Sequence, residues 1–209
     1  MLKAREGLAL LAFLLPLLLN STNFIKNDLL TPKASKIVED IGDELSSKTG
    51  IYAYVIATNR VFPERFNLVE YVMGMDKQLS RPFVVLVFAP NAVITEKSGQ
   101  RGRVGLIASS KEIASLYDSS TVKDYATGVV ASKDKNSKED KYNIGVVQSY
   151  SELADQIANS KDIKMSRTIP NETHTVVTIL KYIVLLGTVI ILWIFFIRNR
   201  VIRRDSEKK

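Results

Sequence analysis

Cysteine is absent from this chain, and histidine and tryptophan occur once each. Without cysteine there are no disulfides, no thiol nucleophile and no cysteine-ligated metal. The single histidine, His174, lies in a polar stretch beside an apolar run. It has no second imidazole to share a metal and no nearby nucleophile to activate, so the chain is read without a histidine-dependent catalytic centre. A basic excess is also missing where a folded domain would show it. Residues 20–175 carry 20 Lys+Arg against 19 Asp+Glu. The formal charge of +7 is therefore concentrated at the two ends, and the clustered basic face that phosphate recognition needs is lacking. Nucleic acid is not expected as a partner.

What the chain does have is two apolar runs, each with basic residues beside it. From Val176 to Ile197 the one charge is Lys181. At about 1.5 Å per residue, such a run as a helix spans about 33 Å, enough for a hydrocarbon core of about 30 Å. Lys181 near one end can extend to the interface, and Trp193 sits near the other, where amphipathic rings are favoured. Arg198, Arg200, Arg203 and Arg204 follow directly, which places the C-terminus in the cytoplasm by the positive-inside rule. At the other end, Lys3 and Arg5 precede an apolar run from Gly7 to Leu19, the pattern of an export signal. No A-x-A-like site follows it, which favours a retained signal anchor over a cleaved peptide. The two segments agree on one topology, with the intervening domain outside the cytoplasm. In a bacterial host that is an inner-membrane protein facing the periplasm. Asn20-Ser21-Thr22 and Asn171-Glu172-Thr173 are glycosylation sequons only in a host that uses them.

The region between the anchors is large enough for one domain with its own core. Thr31-Pro32 opens a helix as N-cap and first-turn proline, Ile37, Val38, Ile41 and Leu45 line one face, and Gly50 closes it. "IYAYVIA" (Ile51–Ala57) reads as a buried strand. A helix is expected at 66–79, a central strand at Phe83–Ala89, and a strand at Arg103–Ser109 reached through Pro90-Asn91 and Gly99–Gly102. Helical patterns follow at 111–117, 121–131 and 142–159, the last with Ile144, Val147, Leu153, Ala154 and Ile157. The mixed-charge run 132–141 reads as a solvated loop, and 161–175 as a polar tether. This order predicts an α/β domain with helices covering a sheet.

The opening "LTPKASKIVEDIGDELSSKTGIYAYVIAT", the pair "FVVLVFA" and "RVGLIAS", the closing "DKYNIGVVQSYSELADQIA" and the apolar tail resemble the TPM domain family over about residues 28–160. The resemblance implies an α/β/α sandwich carried by a C-terminal transmembrane helix. It also implies an extracytoplasmic domain that serves a membrane complex, with phosphatase activity reported for some members. The family's early Asp corresponds to Asp28, set closer to the first helix. Its Trp-Gly and Asn-Gly are replaced here by Met73-Gly74 and Arg81-Pro82.

The expected organisation is thus a signal or anchor at 1–20, the domain at 28–160, a linker at 161–175, a span at 176–197 and a basic tail at 198–209. No nucleophile–base pair can be read, so no catalytic or cofactor-binding residues are assigned and no cofactor is expected. Glu39, Asp40, Asp43 and Glu44 are the candidates for a divalent cation, since carboxylates at i and i+4 share a helix face. "GQRGRVG" (Gly99–Gly105) has the glycines of a phosphate loop, but it enters a strand and reads as a hairpin connection. The function expected is a non-enzymatic accessory protein, held in the lipid bilayer, that binds and stabilises an integral-membrane protein or complex. The alternative is a membrane-tethered phosphatase-like hydrolase. An accessory protein should expose an apolar or aromatic patch, with the "RVFPERF" loop (Arg60–Phe66) as candidate. A hydrolase should gather Asp, Arg and Ser in one pocket.

Overall fold

The computed structural model describes residues 23–170 and 172–194, with the side chains of 172–182 outside the description. The chain divides between Ile169 and Pro170 into two compact units. The first holds a mixed α/β domain, the class read from the sequence. In chain order its elements are β1 (Phe24–Asn27), α1 (Pro32–Thr49), β2 (Tyr52–Ala57), α2 (Leu68–Met73), a 3-10 turn (Asp76–Gln78), β3 (Phe83–Thr95), β4 (Gln100–Ala108), α3 (Lys111–Ala114), α4 (Ser119–Ala131) and α5 (Lys138–Asn159).

The sheet has the order β1-β2-β3-β4, with β1, β2 and β3 parallel and β4 antiparallel to β3. The central strands β2 and β3 are near-continuous apolar runs because both of their faces are covered. Ala53, Val55, Val84, Leu86 and Phe88 point to one face, under α1, α4 and α5. Tyr54, Ile56, Phe83, Val85 and Val87 point to the other, where Phe62, Leu68 and Val72 close over them. The β1–β2 connection therefore crosses one face and the β2–β3 connection the other. Since the strand order runs one way, the two crossovers have opposite hand, and one of them departs from the usual right-handed rule.

Local chemistry sets the helix ends. Thr31 caps α1 by accepting from the Ala34 N–H at 3.3 Å, and Gly50 ends it at φ 71, where a Cβ would be strained. Midway along α1, Gly42 lets the helix approach Tyr150 and Asn23. A Cβ there would collide with the Tyr150 hydroxyl and the Asn23 amide. The fully buried Tyr150 donates its hydroxyl to the Ala53 carbonyl at 2.8 Å, tying α5 to β2 across the core.

Several boundaries differ from the sequence reading. β1 was not anticipated: its four residues follow the polar stretch Asn20–Asn23 and are too few to show alternation. The helix expected at 66–79 is only Leu68–Met73, ended at Gly74, with the 3-10 turn carrying the chain past Met75 and Leu79 to the core. β3 does not stop at Pro90 but runs to Thr95. A proline is tolerated there because the β3–β4 register is irregular between Ala89 and Val93; beyond it Val93 pairs with Arg101 of β4 while its N–H donates to the Phe62 carbonyl. α5 begins at Lys138, inside the expected loop, because Ser137 caps it by accepting from the Asp140 N–H at 3.0 Å.

Among its described residues the second unit contains one helix, α6 (Glu172–Trp193), starting four residues before the expected span. Among the described residues no helix is long and apolar enough to cross a membrane. The span expected at 176–197 runs past Ile194, and its first part, Lys181 included, falls where side chains are not described. The signal segment with Lys3 and Arg5, and the tail with Arg198, Arg200, Arg203 and Arg204, also lie outside the described residues.

Candidate interaction surfaces

Asp28 sits just past β1, at the carboxyl ends of the parallel strands, where open α/β sheets place their ligands. Its carboxylate accepts from the Thr58 hydroxyl at 2.7 Å and pairs with Lys26 at 3.1 Å. The Thr58 hydrogen bond is the chief cause that holds this carboxyl below its usual range, with Lys26 adding to it. Both contacts fall on one carboxylate oxygen, Oδ2, which a hydroxyl and an ammonium thus share. Of the four acids of α1, Asp40, Asp43 and Glu44 have their carboxylates engaged by other groups. Asp40 pairs with Lys36 and Arg167, and Asp43 accepts from the Asn23 amide at 3.0 Å. Glu44 holds Lys48 and residues 166–167, and the Glu39 carbonyl accepts from Asn23. Among the described residues no group of three or more His, Cys, Asp or Glu is placed to hold a metal. Gly99–Gly105 forms the β3–β4 turn and the start of β4. His174 lies in α6 with its side chain outside the description.

Two open clefts lie on the domain. One, of about 340 Å³, runs between α1 and α5 past Ala34, Ile37, Ile144 and Val147. The other, of about 350 Å³, lies beside Phe88, Val104, Ala126 and Tyr142, with Arg101 on its wall. The threonines lining them make other hydrogen bonds: Thr31 donates to Asn143 at 3.1 Å and Thr127 to the Lys123 carbonyl at 3.1 Å.

The "RVFPERF" loop turns its aromatic residues inward. Phe62 is fully buried, stacked on Phe66 with centroids 4.6 Å apart and edge-on to Tyr71 at 5.5 Å. The Arg60 guanidinium lies 5.1 Å from the Phe62 centroid, a cation–π contact on the same cluster. Aliphatic groups face outward instead. Val61 is 56% exposed, and Ile94 is 48% exposed on the strand segment that the Phe62–Val93 hydrogen bond draws alongside the loop. On α2, Val69 and Met73 stand four residues apart on the outer side, while Leu68 and Val72 are buried beneath. The large apolar side chains exposed in this region are thus aliphatic, and the aromatic residues of the loop, expected in an exposed patch, are turned into the core.

Sequence reading also missed a clasp on the polar segment after α5. Glu44 is 8% exposed and accepts from the Ser166 N–H at 2.8 Å, the Ser166 hydroxyl at 2.7 Å, the Arg167 N–H at 2.8 Å and Lys48 at 2.6 Å. Burial pushes the Glu44 carboxyl up, but Lys48, Ser166 and Arg167 together outweigh it and hold it down at about 2. Lys48 also donates to the Lys164 carbonyl, Thr168 donates to Asp155, and the Ile169 N–H donates to Ser151. The stretch read as part of a tether at 161–175 is docked on the domain as far as Ile169.

In α6, every large apolar side chain described is exposed. Ile183, Val184, Leu185 and Leu186 are 60–62% exposed in succession, so all sides of that turn are apolar and uncovered. Trp193 is 61% exposed.

No family model matches the chain, and no curated protein matches it. It is similar to the NMR structure of the BA42 protein from the psychrophilic bacterium Bizionia argentinensis, at 14% identity over 69% of this chain and 96% of that one. The TM-score is 0.41, and at that level the likeness carries no argument.

Proposed function

We propose that this chain is a membrane-anchored accessory protein whose α/β domain stands outside the cytoplasm and stabilises an integral-membrane protein or complex. A motor stator, a respiratory complex and a transporter are examples of such a client. The observation that carries the reading is the apolar surface of α6 on all sides from Ile183 to Leu186, which water does not tolerate as a free surface. In this reading the apolar run Val176–Ile197 is the span, with Lys181 and Trp193 near its two ends in the sequence and the four arginines that follow it on the cytoplasmic side. The TPM-like arrangement of an α/β/α domain before such a helix belongs to the same proposal.

The client-facing side chains in this reading are the exposed Val61, Val69, Met73 and Ile94. Anchoring in the client's bilayer raises the effective concentration of the domain, so a small patch suffices. Binding only the folded client also shifts it away from degradation. Catalysis is not invoked in this reading: the carboxylates of Asp28, Asp40, Asp43 and Glu44 are engaged by a lysine, an arginine, a hydroxyl or an amide donor.

The test compares the membrane proteome of a deletion strain with that of its parent. One complex is expected to be depleted, and to be restored by the anchored protein but not by a soluble exported domain at equal abundance. An unchanged proteome with an altered pool of phosphate esters would favour a phosphatase-like hydrolase.

A further inference from the structure

A 15-residue flexible tether would let the domain explore space well away from its anchor. The docked segment removes most of that freedom. Three side chains on one stripe of α1, at Asp40, Glu44 and Lys48, bind Arg167, the Ser166 and Arg167 N–H groups, and the Lys164 carbonyl. Ser151 and Asp155, one turn apart on α5, bind Ile169 and Thr168. The spacings of four match one helical turn, so five side chains from two helices form two parallel rows of contacts along the segment. Every residue from Ser166 to Ile169 is thereby held. Between Ile169 and the first residue of α6 lie only Pro170 and Asn171, two residues whose reach is at most about 7 Å. With the segment released, residues 161–171 would be free, and the same measure gives about 36 Å.

We propose that the clasp centred on Glu44 holds residues 164–169 to keep the domain close to the bilayer surface, so that it engages membrane-proximal segments of its client and not parts further out. This rests on the membrane-anchored reading. Glu44 is the centre of the clasp because one carboxylate accepts two successive backbone N–H groups and a hydroxyl while paired with Lys48. Glutamine in its place would lose the charge and one of the two acceptor oxygens.

The absence of cysteine makes the test direct, since a Lys33→Cys substitution gives one labelling site on the exposed start of α1. The full chain carrying a donor dye there is reconstituted into liposomes with acceptor-labelled lipid headgroups, and energy transfer is measured. Transfer is expected to fall at least twofold on Glu44→Ala, on Ser166→Pro, which removes both Ser166 donors without touching α1, and on a ten-residue Gly/Ser insertion after Pro170. An effect of the insertion with none from Glu44→Ala or Ser166→Pro would overturn the clasp. Equal transfer in all four proteins would show that the chain length does not set the distance, and would overturn the proposal too. A second measurement holds even if the chain fails to float with liposomes, an outcome that would sink the anchor reading alone. Trypsin cleavage after Lys164 and Arg167 in the full chain should quicken at least tenfold in Glu44→Ala and Ser166→Pro, with cuts confined to the segment. Unchanged cleavage rates would refute the clasp.

Discussion

Replacing Glu44 with alanine should destabilise the domain by about 2–3 kcal/mol at pH 7, and the loss should vanish in acid. The magnitude follows from the carboxyl, which lies at about 2 in the folded protein against an ordinary value of 4.5. At about 1.36 kcal/mol per pH unit, that difference corresponds to an upper limit of about 3 kcal/mol. The sign follows from the depression. The folded state favours the ionised form, so the contribution is complete above pH 4.5 and is lost as pH falls toward 2. Lys48 is 39% exposed and can return to water in the variant, so no unpaired buried charge adds to the loss. Calorimetric melting of the full chain in detergent at pH 7 should show the domain transition lowered by roughly 5–10 °C, at about 2–4 °C per kcal/mol. At pH 2 wild type and variant should melt within about 2 °C of each other on the same scale. A variant that melts within 1–2 °C of wild type at pH 7, or a gap that persists unchanged in acid, would refute the reasoning.

Other perturbations test other links. Tyr150→Phe removes the buried hydrogen bond to the Ala53 carbonyl and should cost about 1–3 kcal/mol in chemical denaturation, since that acceptor lies in a dry core. Gly42→Ala should destabilise by about 1–3 kcal/mol or more, because the new methyl group meets Tyr150 and Asn23, and Asn23→Ala in the same chain should recover part of the loss. Val69→Asp with Met73→Lys should leave melting nearly unchanged, as both side chains point outward, yet abolish restoration of the depleted complex in the deletion strain.

The parts of the fold legible in the sequence are those encoded locally. Thr31-Pro32 and Gly50 delimit α1 through their own backbone preferences, and the apolar runs of β2 and β3 announce strands covered on both faces. What was not legible depends on contacts remote in sequence. β1 is four residues long and is a strand only because it pairs with β2. Pro90 reads as a strand end because the register shift that carries β3 past it, and the Phe62 carbonyl that receives the Val93 N–H, leave no mark in the local sequence. Phe62 and Phe66 were expected in the exposed patch, but a hydrophobic loop residue has no periodicity to say which way it turns. The clasp was hardest to see, since Glu44 and Ser166 are 122 residues apart and the segment it holds is polar. Its one advance sign was Glu44 itself, an acid at the border of the apolar stripe on α1, read instead as part of a solvated or cation-binding face.

The central claim is that the domain is held outside the cytoplasm by a C-terminal span, and reporter fusions in a bacterial host test it most directly. Alkaline phosphatase, which folds to an active form only after export, is joined after Asn159 in one strain and after Lys209 in another. The account predicts an active enzyme after Asn159 and an inactive one after Lys209. Activity at Lys209 without activity at Asn159 would contradict it.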